Sequence, residues 1–119
     1  MDGEVVGRAV VLVVMVASGV LLIWQARATA CGRLGRNQVA GIRLPSTLES
    51  DAAWRAAHVR AERPTTLAGV VSILSGLGAL LPIPLGPACL VVFAGAVIML
   101  GIILYAARVA SRAAEDAGT

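Results

Sequence analysis

The chain contains no lysine, a single histidine, two cysteines and, among aromatic residues, only two tryptophans, one tyrosine and one phenylalanine. One histidine and two cysteines are too few for a Cys/His zinc site, and neither a metal nor another cofactor is expected. With no aromatic residues interleaved among the basic ones, there is no platform on which bases could stack, which argues against direct nucleic-acid binding. Charged residues make up only 14% of the chain. Apart from Arg8, near one end, none interrupts the long apolar stretches. Proton- or ion-coupled transporters need an acid or base at membrane depth, so that class is excluded too.

Catalytic groups are equally sparse. The candidates are His58 with Asp51 or Glu62 as partner, and Cys31 or Ser50 as nucleophile. Asp51 and His58 stand about two helical turns apart, too far for a direct hydrogen bond. The sequence reads as a non-enzyme.

What remains is apolar: 58% of the residues are hydrophobic and the mean hydropathy is +0.85. A soluble chain of 119 residues could not hide so much apolar surface, so the bilayer is the expected solvent for a single domain covering residues 1–119. Three stretches, residues 5–24, 65–81 and 88–107, read as transmembrane helices. Arg8 is expected to snorkel to the headgroups, and Trp24 to sit at the interface. Asp2 and Glu4 at the N-terminus, ahead of a long apolar core, argue against a cleaved signal sequence. Gly69, Ser72, Ser75, Gly76 and Ala79 give the second stretch a small-residue face suited to close helix packing. The Pro82, Pro84 and Pro87 turn joins it to the third, Arg108 and Arg112 stop that span, and residues 115–119 read as a frayed tail. On this layout Cys31 and Cys89 lie near opposite faces and cannot pair within a chain.

Residues 25–64 form the polar loop between the first two spans. Its first part is a basic connector with Arg27, Arg33 and Arg36 at headgroup level. Ser50, with Pro45 upstream and Pro64 downstream, delimits a short helix to about Glu62. Trp54, Ala57, His58 and Ala61 share one face of it, which suggests a helix lying in the interface with its tryptophan dipped into the headgroups. Asp51 with Arg55, and His58 with Glu62, have ion-pair spacing. Nine of the ten arginines would fall on the loop's side of the membrane and only Arg8 on the other. That asymmetry predicts an outside N-terminus, with the loop and C-terminus cytoplasmic.

Within the loop, Asn37, Gly41, Ile42, Arg43, Pro45, Thr47, Ser50, Trp54 and His58 resemble the signature of the SdpI family of small bacterial membrane proteins. The resemblance implies protection against a membrane-active peptide toxin. For the namesake it also implies signalling by holding a cytoplasmic repressor at the membrane. The implied partners are a peptide toxin and a cytoplasmic regulator, beside the lipid bilayer itself. Longer relatives carry extra membrane segments beside this module, so the motif by itself identifies neither the toxin nor the regulator.

Physically, Gly41 permits a tight turn, Asn37 can close one, and Thr47 or Ser50 caps the helix. The fork of Arg43 suits Glu49, Asp51 or a lipid phosphate. The expected architecture is an all-α multi-pass membrane protein of the bacterial cell membrane: three transmembrane helices, with one short interfacial amphipathic helix between the first and second. Its limited buried area suggests self-association. The alternative from another class is an accessory or assembly subunit that docks on a larger membrane complex through the small-residue face.

Overall fold

The computed structural model describes residues 2–118. Helix α1 runs Gly3–Ala30, a single turn α2 spans Pro45–Leu48, α3 spans Asp51–Leu77, and α4 spans Leu85–Gly118. A 3-10 turn, Gly78–Leu80, follows α3, and no strand occurs among the described residues. α3 is the central element, with α1 and α4 both packed along it. The result is an elongated bundle measuring 56 × 22 × 19 Å.

α1 starts on Asp2, whose carboxylate accepts from the Val5 N–H at 2.8 Å, and it ends at Cys31 with Arg27 in its last turn. It therefore outlasts the predicted span by six residues, taking in half of the expected connector. Val10, Val13, Val14, Val20 and Leu21 of α1 stand more than half exposed, as do Leu90, Phe93, Ile98, Leu100 and Leu104 of α4. Both helices are long and apolar enough to cross a bilayer. Apolar surface on that scale is suited to lipid.

The largest departure from expectation lies at Pro64. The sequence predicts that this proline ends an interfacial helix and that a separate span begins beyond it; α3 instead continues through Pro64 without interruption. Proline costs one i to i−4 hydrogen bond there. The helix persists because both sides of the break are held by packing, with Ala61, Thr65 and Ala68 all buried. The expected interfacial helix and second span are thus two halves of one rod. Beyond Arg63 the rod has only 14 residues left, 64 to 77, about 21 Å at helical rise.

The C-terminal end is corrected likewise: α4 begins at Leu85, runs past Arg108 and Arg112, and includes most of the segment expected to fray. Thr119 lies outside the described residues.

Two kinds of small-residue packing hold the rods together. In the apolar half, Gly19 of α1 faces Gly69 of α3 so closely that a Cβ on Gly69 would meet the Gly19 carbonyl oxygen at 2.7 Å. Gly76 lies against Met15, and the Ser72 hydroxyl donates to the Met15 carbonyl at 2.7 Å. On the opposite side Ser75 fills the space over Gly95 of α4, its hydroxyl returning to the Val71 carbonyl at 2.7 Å. Ala79 is buried in the 3-10 turn. In the polar half, Ala53, Ala57 and Ala61 of α3 form one cluster with Ala106, Ala110 and Ala114 of α4, each at most 2% exposed. A repeat of four puts each trio on one helix face, and methyl side chains let the two axes approach.

Arg8 does not snorkel freely. Its guanidinium donates to the Ala79, Leu81 and Ile83 carbonyls at 3.1, 3.3 and 2.6 Å and pairs with Glu4 at 3.1 Å. The charge is consumed in capping the end of the rod and the turn into α4.

Candidate functional site

The loop from Cys31 to Ser50 folds over the polar ends of the helices, and its hydrogen bonds are mostly internal. Asn37 closes the first turn: its carbonyl oxygen accepts from the Val39 and Ala40 N–H groups, both at 2.8 Å, and its amide donates to the Gly35 and Ala40 carbonyls at 2.7 and 3.1 Å. Gly41 follows at φ +107°, backbone that a side chain would strain. The chain there lies directly against the Trp54 ring.

Trp54 and His58, one turn apart on α3, are each 2% exposed and stack with ring centroids 4.1 Å apart, tilted by 38°. The Trp54 indole donates to the Leu34 carbonyl at 3.2 Å. Both His58 nitrogens are used. Nε2 accepts from the Ile42 N–H at 2.8 Å, which requires it to be unprotonated, so Nδ1 carries the proton and donates to the Trp54 carbonyl at 2.8 Å. Burial holds the imidazole below the usual histidine range, against the opposing pull of the Trp54 carbonyl. The expected pairing of a charged His58 with Glu62 is therefore replaced by a neutral ring bonded to backbone. Likewise, the tryptophan expected in the headgroups is enclosed by its own loop.

Thr47 and Ser50 divide the capping between them. The Thr47 hydroxyl accepts from the Leu44 N–H at 2.9 Å and reaches the Ile42 carbonyl at 2.7 Å, fixing the single turn that Pro45 opens. Ser50 accepts from the Ala53 N–H at 3.0 Å and starts α3. Ser46 meets Ser111 of α4 at 3.1 Å, tying the loop to the third rod.

The arginines exchange roles relative to expectation. Arg43 donates to the Gln38 carbonyl at 2.7 Å rather than engaging Glu49 or Asp51. Arg36 instead holds Asp51, at 3.4 Å, and the Leu48 carbonyl at 3.1 Å. In the sequence nothing separates Arg36 from its neighbours, because its partners lie twelve and fifteen positions away. Asp51 is thereby drawn to the loop rather than to Arg55. Cys31 is exposed, and the Arg33 backbone N–H, then its guanidinium, holds the thiol below its usual range.

Of the nine signature residues, Thr47, Trp54 and His58 are buried, while Asn37, Gly41, Ile42 and Ser50 are half-buried. Only Arg43 and Pro45 are exposed, flanked by exposed Gln38, Val39 and Glu49. The signature mainly builds the loop. The surface left for recognition is a small patch containing Val39 at 85% exposure.

These features define an all-helical membrane protein that carries a structured platform at one end of its bundle. The model of the SdpI/YfhL protein family matches residues 33–106, well over half of the chain, and the chain belongs to that family. The match begins in the loop and ends within α4, with α1 lying outside it. No curated protein and no solved structure gives a match.

Proposed function

We propose that this chain is a non-catalytic immunity-type protein that protects a bacterial cell membrane against a membrane-active peptide toxin. In this reading the platform around Arg43 and Pro45 is the docking surface for a cytoplasmic regulator. Family membership supports the protective role. The observation that carries the binding role is that seven signature residues are wholly or partly withdrawn from solvent to rigidify a loop that displays the other two. A preformed surface loses little freedom on binding, the physical requirement for recognition without chemistry.

The membrane arrangement belongs to the same proposal. α1 and α4 span, and the apolar half of α3 with its 3-10 turn, about 27 Å in all, inserts between them as a third, short span. Nine arginines at the platform end support a cytoplasmic platform with the N-terminus outside. The accessory-subunit alternative draws less support, since α1 and α4 already cover the small-residue face of α3.

Deletion of the gene is expected to sensitise cells selectively to one peptide toxin, leaving the assembly of other membrane complexes intact. Complementation with Arg43→Gln or Trp54→Ala should fail, while Arg33→Gln and Arg112→Gln should restore protection. Equal behaviour of the four variants would remove the signature from the function. Membrane-impermeant thiol labelling, run on a Cys89→Ser background, should miss Cys31 in intact cells. It should reach a cysteine introduced at Gly86, where a Cβ meets no atom within 4 Å.

A further inference from the structure

Between α3 and α4 runs an open groove of about 1340 Å³ that the signature does not touch. Its two ends differ in chemistry. At one end it is lined by Arg55, Arg60 and Arg63 with Glu62, and at the other by Leu67, Ile98 and Ile102. Arg60 and Tyr105 also line an adjoining cleft with Arg108, Arg112 and Asp116.

Three observations bear on what fits there. First, Glu4–Arg8 and Arg36–Asp51 are ion pairs and Glu62 is in neither, so the groove's own lining sets three arginines against one carboxylate, with Asp116 in the adjoining cleft that Arg60 shares. Second, the change of character falls at the expected membrane boundary: Arg63 immediately precedes the apolar half of α3, and Arg108 immediately follows the apolar stretch of α4. Third, the apolar arm of this open groove, lined by Leu67, Ile98 and Ile102, falls on the hydrocarbon side of that boundary in the proposed membrane placement. Arginine forks match phosphate oxygens, and cationic side chains at the bilayer surface favour anionic headgroups.

We propose that this groove is a binding site for one anionic phospholipid of the surrounding leaflet. Its headgroup phosphate sits at the arginine end and an acyl chain lies along Leu67, Ile98 and Ile102. The site rests on the membrane placement of α3 and α4 and is independent of toxin protection, so the two can fail separately.

The test is native mass spectrometry of the full chain in mild detergent, titrated with phosphatidylglycerol or with phosphatidylcholine of identical acyl chains. One phosphatidylglycerol should be retained with about tenfold preference. Arg60→Gln with Arg63→Gln should abolish the preference, the matching double lysine variant should keep most of it, and Arg33→Gln should leave it unchanged. Gly101→Phe provides a steric block: Gly101 lines the groove, and an added Cβ there meets nothing within 4 Å. That variant should keep its helical circular dichroism and lose the lipid. Equal retention of both lipids, or a preference that survives the double glutamine variant, would overturn the proposal. So would a two-chain mass that Gly101→Phe dissociates, because a second copy would then be the occupant.

Discussion

Gly41 shows how little freedom single positions in the loop have. A Cβ there would lie 2.7 Å from Trp54 Cη2 and 3.0 Å from His58 Nε2, on backbone already at φ +107°. Gly41→Ala should therefore cost at least the ~1–3 kcal/mol of a strained backbone, seen as a lower melting temperature in detergent. His58 adds a pH dependence. The folded state keeps the ring neutral, so the unfolded chain takes up the proton first. The stabilisation is complete above the ordinary value of 6.5 and is lost as the pH falls from there toward the lowered folded value. Melting curves should show a decline over that window that is absent in His58→Gln. At neutral pH His58→Leu, which has no acceptor, should be less stable by ~1–3 kcal/mol, because the Ile42 N–H is left without its partner. The Asn37 turn, the glycine turn and the shared Trp54–His58 face were all legible in the sequence, because each depends on local geometry. The cover over that face was not: Ile42 reaches His58 across sixteen positions and Leu34 reaches Trp54 across twenty.

Among the elements, α3 departs furthest from what its local sequence dictates. A proline between charged and apolar halves reads locally as a boundary, and the local rule is sound. Burial of Ala61, Thr65 and Ala68 on either side outweighs it, and no composition window shows that burial in advance. The alanine ladder was hidden for another reason: in a sequence this rich in alanine, spacing by four passes as background. It carries a sharp expectation nonetheless. Ala57 is 0% exposed in the cluster, so Ala57→Leu should overpack it and cost ~1–3 kcal/mol. The same change at exposed Ala52 should be nearly silent. Thermal unfolding followed by circular dichroism separates the two.

Taken whole, the molecule is pinned at both ends by contacts that sequence distance conceals. The loop ties the polar ends of α1, α3 and α4, and Arg8 ties the start of α1 to carbonyls more than seventy residues away. Arg8→Met keeps the aliphatic stem but removes every donor, and should destabilise the bundle by ~1.5–3 kcal/mol. Arg33→Met, at an exposed position, should change the melting temperature little. On the proposed membrane placement, a length of 56 Å against a hydrocarbon layer of about 30 Å leaves roughly 26 Å of the bundle beyond the apolar zone.

An unbroken α3 makes the platform and the buried glycine contacts two ends of one stiff lever. Its 27 residues measure about 40 Å, so a tilt of about 5° imposed at the serine cap swings the far end by about 3.5 Å. That travel is comparable to the spacing between packed side chains. Anything that seats on the platform and tips it would be felt among Gly19, Gly69 and Gly76 without a messenger, because α3 runs on through Pro64 with Ala61, Thr65 and Ala68 packed on both sides of it.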